Sequence, residues 1–246
     1  MRKKNKSFLA GLVSIAIVAA SNLMAMAANV DVYAEGAYTD TKLDVYIYAD
    51  INVAPLVSAG VQLTYDNTKL TLVSAVKNQT DWYFGTPAVP YVYQDPQDTG
   101  SGVVFMGGKL DTNTPDAGVT GTRKLIGTAS FTRTESVAPG ASPEAYFGSA
   151  LGLGIIRTAP DVFANFVTNG GVVLDTAADG VSYAIIIRER GDANADGNVT
   201  PADMVTVKNA YYANAPLSCR PAADCNADEN ITPADMVCIK NKYYAH

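Results

Sequence analysis

A twelve-residue pattern occurs twice near the C-terminus, and it constrains this chain more than any other feature. The first copy is Asp192-Ala193-Asn194-Ala195-Asp196-Gly197-Asn198-Val199-Thr200-Pro201-Ala202-Asp203; the second runs from Asp224 to Asp235, 32 residues later. Self-similarity at a fixed offset marks one structural unit used twice. Both copies place oxygen-bearing side chains at positions one, three, five and twelve. A hard divalent cation such as calcium takes six to eight oxygen ligands at about 2.3–2.6 Å, and alternate residues of a coiled loop can all point inward to supply them. The expected ligands are Asp192, Asn194, Asp196, Asn198 (through its carbonyl) and Asp203. In the second copy they are Asp224, Asn226, Asp228, Asn230 and Asp235. Two calcium ions are therefore expected, with Thr200 and Thr232 at position nine able to contribute through water.

Each loop runs into a helix whose start is also written in the sequence. Thr200 can cap, Pro201 suits the first helical position, and Asp203 lies three residues past the cap; Thr232, Pro233 and Asp235 repeat the arrangement. Met204, Val207 and Tyr211 share one face, as do Met236, Ile239 and Tyr243, and these faces are expected to form a small core. The copies differ at position six, where the loop needs a backbone conformation that glycine tolerates best: Gly197 in the first, Glu229 in the second. The second site is expected to be the weaker.

The rest of the 246-residue chain reads differently. Arg2, Lys3, Lys4 and Lys6, an apolar run from Phe8 to Ala20, and Ala25-Met26-Ala27 have the order of a secretory signal peptide, residues 1–27. Its removal shifts the formal net charge from −6 to −10. An acidic chain without clustered Lys and Arg is a poor nucleic-acid binder. Residues 28–188 read as a mainly β module of about nine short strands, a β-sandwich. Candidate strands are Leu43–Tyr48, Val61–Tyr65, Leu70–Val76, Val103–Met106, Leu125–Thr132, Val162–Val167, Val172–Leu174 and Val181–Ile187. The glycine-rich stretch Gly148–Gly154 reads as a flexible connection. Gly191 serves as the hinge to a second module, residues 189–246, with repeats at 192–212 and 224–244. No long linker separates the two, so close association is expected.

All three cysteines, Cys219, Cys225 and Cys238, lie in that second module. Cys219 and Cys225 are near enough in sequence to pair. The alternative is three thiols, with Cys238 filling the slot that Thr206 takes in the other copy. The only histidine is His246, which argues against a Ser-His-Asp triad or a His-bound catalytic metal. Asp81, Asp95, Asp98, Asp111, Asp116 and Glu144 are acids without a recognisable catalytic motif.

Paired calcium loops, each followed by one helix, resemble type I dockerins from Gly191 to Tyr244. The resemblance implies a small all-α module that binds a cohesin on a scaffold protein in cellulosome-like assemblies for polysaccharide degradation. The matching partner-binding positions are Pro201, Ala202, Lys208 and Asn209, with Pro233, Ala234, Lys240 and Asn241. The family's Ser-Thr pair at loop positions ten and eleven is absent. Because the copies are nearly alike, docking in two alternative orientations is expected. The N-terminal module resembles a cohesin, a jelly-roll sandwich that accepts a dockerin, through Ala59–Leu70, Leu125–Phe131 and Asn169–Leu174. A secreted, noncatalytic adaptor follows from the two resemblances. The alternatives are a carbohydrate-binding sandwich using Trp82, Tyr83, Phe84, Tyr91 and Tyr93, and, further off, a glycoside hydrolase.

Overall fold

The computed structural model describes residues 30–78, 80, 82, 95–100, 102–109, 118–134, 143–154, 166–174 and 181–245. The expected signal peptide, Tyr83, Phe84, Tyr91, Tyr93, Asp81, Asp111 and Asp116 lie outside the described residues. The protein is mainly β with a small helical C-terminal region, as its strand-like and repeat-bearing halves imply.

Ten strands are described: β1 (Val30–Tyr38), β2 (Lys42–Tyr65), β3 (Leu70–Lys77), β4 (Gln97–Asp98), β5 (Val103–Lys109), β6 (Val119–Arg133), β7 (Leu151–Gly154), β8 (Phe166–Thr168), β9 (Val173–Leu174) and β10 (Val181–Glu189). A short helix, α1 (Pro143–Ser149), precedes β7, and α2 (Pro201–Ala213), α3 (Arg220–Ala223) and α4 (Pro233–Ala245) follow β10. The spine is β2, which merges two segments that alternation alone separates. Its first part, Lys42–Ile51, lies between β1 and β6; its last residues, Gln62–Tyr65, pair with β5 and β7. Register shifts between Ile47 and Leu56 let one strand turn through this path. Pro55, which cannot donate to a ladder, falls within that irregular stretch. All pairings are antiparallel except β1 with β10.

Alternation on β2 sends Leu43, Val45, Ile47 and Ala49 into one core, where they meet Leu63, Trp82, Ile126, Phe131, Phe147 and Phe166. The stretch Gly148–Gly154 is not a loose connection. It closes α1 and forms β7, with the Asp66 N–H donating to the Ala150 carbonyl at 2.8 Å. A Cβ at Gly152 would lie 2.4 Å from the Thr64 hydroxyl oxygen and would force that side chain to move.

The C-terminal module sits against β1 and β10. Gly191 is a fastened turn rather than a hinge: its φ is 112°, its N–H donates to the Ala222 carbonyl at 2.8 Å, and a Cβ would crowd Val199. Glu35 of β1, 2% exposed, takes both arms of the Arg123 guanidinium at 2.5 and 2.8 Å and the backbone N–H of Arg220 at 2.9 Å. Cys219 and Ala222 bury against Ala37.

Candidate functional site

Both loops fold around a matching set of hydrogen bonds. In the first, the Asp192 carboxylate accepts the N–H groups of Asp196 and Gly197, each at 3.0 Å. In the second, Asp224 accepts those of Asp228 (3.1 Å) and Glu229 (2.8 Å). Asn194 and Asn226 accept from the same N–H two residues on, and Asp196 and Asp228 accept from Asn198 and Asn230. Position twelve closes each loop by reaching across it: Asp203 accepts from the N–H groups of Asn194 and Thr200, and Asp235 from those of Asn226 and Thr232. The contact between Asp203 and the Thr200 N–H is also one half of a capping box, and the Thr200 hydroxyl accepts the Ala202 N–H at 3.2 Å as well. One acid thus starts the helix and closes the loop.

These folds gather negative charge where water is scarce. Asp192, Asp203 and Asp235 are fully buried and Asp224 is 4% exposed. Desolvation, with Asp203 and Asp196 nearby, raises the Asp192 pKa above the usual carboxylate range, and desolvation with Asp235 does the same for Asp224. Desolvated carboxylates alternating with amide and carbonyl oxygens suit a hard cation, which supplies the opposite charge. Among the described residues, no group of three or more His, Cys, Asp or Glu side chains is already drawn together as a metal cluster. The loop carboxylates are instead turned onto the loops' own N–H groups.

The backbone shows the difference at position six. Gly197 has φ 90° and Glu229 has φ 67°, so the second loop holds a side chain in the left-handed region. Ala195 and Ala227, at position four, adopt φ 62° and 59°. Nothing in the residue type announces that second kink; only the equivalence of the two copies does.

The core between the helices contains Val207 and Ile239, fully buried, with Met204 and Met236 partly covered. Tyr211 and Tyr243 do not join it. They remain 45% and 40% exposed in the last helical turn, each edge-on to the neighbouring Tyr212 or Tyr244. The cysteine expectation also needs correcting. Cys225 pairs with Cys238, and Cys219 is a buried free thiol. Position two of the second loop lies over the middle of α4, with a Cα separation of 5.8 Å. Cys219 instead faces the sandwich and donates to the Gly36 carbonyl at 3.6 Å; burial pushes its thiol pKa up to about 12.

Pro201, Ala202, Lys208 and Asn209 are all exposed, and so are Pro233, Ala234, Lys240 and Asn241. The sandwich covers neither set. Beside them stand exposed apolar side chains that the sequence reading passed over: Val205 and Tyr212 on α2, Val237 and Tyr244 on α4. Recurrence at the repeat offset on the solvent side was the signal for them. Elsewhere, Trp82 is fully buried and so cannot stack on a sugar. Asp95 pairs with Lys77 and Asp98 accepts from the Tyr65 hydroxyl. Glu144 lies in α1.

No curated protein matches this chain. Solved structures with similar architecture are cohesin modules. The sixth cohesin of scaffoldin B from Acetivibrio cellulolyticus, solved with a Cel5 dockerin, is 13% identical over 65% of this chain and 99% of that one, with a TM-score of 0.44. A non-cellulosomal cohesin from Archaeoglobus fulgidus is 15% identical over 66% and 91%, with a TM-score of 0.38. A cohesin module of a Clostridium perfringens family 33 glycoside hydrolase is 10% identical over 64% and 98%, with a TM-score of 0.37. The repeat region is matched by sequence: residues 190–243, which hold both loops, α2 and α4 as far as Tyr243, match the family model of the dockerin type I domain.

Proposed function

We propose that this chain is a secreted, noncatalytic adaptor whose C-terminal module docks onto a cohesin when calcium fills both loops. The observation that carries the reading is the duplicated loop. Two sets of buried position-one and position-twelve acids are held by matching hydrogen bonds, and each is followed by a helix with an exposed, repeated docking patch. The ligands are Asp192, Asn194, Asp196, Asn198 and Asp203, and Asp224, Asn226, Asp228, Asn230 and Asp235. Calcium would supply folding energy rather than chemistry: it neutralises acids that otherwise repel one another, and so fixes the helix starts. The docking patches are Pro201, Ala202, Lys208 and Asn209 and their counterparts Pro233, Ala234, Lys240 and Asn241, extended by Val205, Tyr212, Val237 and Tyr244. Exposed apolar residues beside flexible cations are the composition of a protein interface.

The sandwich would accept a dockerin of another protein, making the chain a link in a cellulosome-like, polysaccharide-degrading assembly. The support is the order of its cohesin-like segments, Ala59–Leu70, Leu125–Phe131 and Asn169–Leu174, which fall on the end of β2 and its turn, on β6, and around β9. The test is retention of the full chain on immobilised cohesins, and of dockerin-bearing proteins on the immobilised chain, with calcium and then with EGTA. Retention that survives EGTA undiminished would refute the calcium-dependent reading.

A further inference from the structure

The two loops begin in different ways. The first is joined covalently to the sandwich, because β10 runs through Glu189 and Arg190 directly into Asp192. The second is preceded by α3, whose residues Pro221, Ala222 and Ala223 are buried, and side chains hold it to the sandwich. The central one is Arg190, 6% exposed. Its Nη1 donates to the carbonyl oxygens of Asp224 (2.8 Å) and Pro221 (3.4 Å), and its Nη2 to Asp44 of β2 at 2.6 Å. Asp224 is position one of the second loop. A planar guanidinium is suited to hold two partners at fixed directions. We propose that Arg190, aimed by Asp44, is a positioning residue for the second calcium loop, so that the sandwich preorganises that site and calcium in turn tightens the contact between the modules. The inference rests on the calcium reading above.

The geometry favours preorganisation over simple charge. Arg190 reaches the backbone carbonyl of Asp224, and its own charge is met by Asp44. Fixing Asp224 before the ion arrives removes ordering cost from binding, and linkage makes the benefit mutual. Glu229 occupies the left-handed region in this same loop, so the external hold falls on the loop whose own residues are less suited to it.

The test is a calcium titration of the full chain followed by nuclear magnetic resonance at two amides, Gly197 and Glu229. Each donates to the position-one carboxylate of its own loop and so reads that loop separately. Arg190→Ala and Asp44→Asn are each expected to weaken the Glu229 site about tenfold, the lower range for outer-shell partners of a metal site. The Gly197 site should stay within about twofold, a shift well under 1 kcal/mol. The double variant should lose little more than either single one, because both act through one contact. A pure charge effect predicts opposite directions, since one variant removes a cation near the ion and the other an anion. Opposite directions, no change, or equal weakening at both amides would overturn the proposal. A wild-type chain in which neither amide responds to calcium would overturn the calcium reading, and this inference with it.

Discussion

The two twelve-residue loops carry almost the same residues and share most of their internal hydrogen bonds, yet they are stabilised by different means. The first supplies its own geometry: Gly197 sits at φ 90° without a side chain to strain, and Arg188 reaches its position-one acid, Asp192, in a long ion pair at 4.0 Å. The second places Glu229 at φ 67°, which costs about 1–2 kcal/mol for a residue with a Cβ. Around it the fold adds what the first loop lacks: the Cys225–Cys238 disulfide, the Arg190 contact to Asp224, and a long contact from Arg220 to the Glu229 carbonyl at 3.4 Å. A local defect and its tertiary compensation thus occur in one copy. The intrinsic ranking of the two sites, read from position six, is a statement about loops alone, and the sandwich and the disulfide act against it.

The strongest way to break the comparison is to remove the closing acids. Asp203→Ala should disable the first loop and Asp235→Ala the second, each lowering calcium affinity at its own site by ~100-fold or more, beyond what outer-shell partners cost. The double variant should abolish calcium-dependent capture of a cohesin. Each acid also caps a helix, so the loss of helical signal in circular dichroism should be partial in each single variant and full in the double. Retained capture by the double variant would mean that the loops are not what folds the docking face.

Next in size is the disulfide. Replacing Cys225 by Ala and Cys238 by Thr gives the second copy the residues of the first, Ala193 and Thr206. A closed loop of 13 residues is expected to contribute about 3 kcal/mol through the unfolded chain. Chemical denaturation of the full chain should show that loss in the C-terminal transition. The second calcium site should weaken while the first holds. Equal weakening of both sites would mean the two halves fold as one unit and the comparison has no local content.

A charge-neutral swap sharpens the question of position six. Gly197→Glu combined with Glu229→Gly leaves the net charge unchanged and exchanges the strain. The first site should weaken and the second tighten, each by roughly fivefold, the equivalent of about 1 kcal/mol. If neither moves, the left-handed conformation is tolerated at no cost in this loop.

Much of this half was legible before folding, because its information is local. The alternation of oxygen-bearing residues and the Thr-Pro cap both act within a dozen residues, and the structure places Asp203 and Asp235 across their loops at the helix starts. What was not legible depends on distant chain. Cys225 finds Cys238 rather than Cys219 because α4 packs beside the loop while Cys219 turns to β1. Tyr211 and Tyr243 fit the helical face by spacing, but the helices separate from shared cover at their last turn. In the sandwich, alternation located Leu43–Tyr48 and Val61–Tyr65. That they form a single strand follows only from the five neighbours that pair along β2. The contacts of Arg123 with Glu35 and of Arg190 with Asp44 join residues 88 and 146 positions apart, and no local pattern announces them.

The smallest effect is the most informative about docking. Pro201, Ala202, Lys208 and Asn209 and their counterparts on α4 are equally exposed, and the sandwich touches α4 instead through Lys242, which reaches Glu189 and the Arg190 carbonyl. If a cohesin binds either patch alone, the two orientations add in the association constant. Removing one then halves that constant, a change of about 0.4 kcal/mol. Lys208→Ala with Asn209→Ala should therefore cost about twofold, Lys240→Ala with Asn241→Ala about the same, and all four together nearly all binding. Calorimetry with a cognate cohesin measures each. Should one pair alone abolish binding, the Lys242 side of the module breaks the symmetry, and the repeat preserves a fold rather than a choice of orientation.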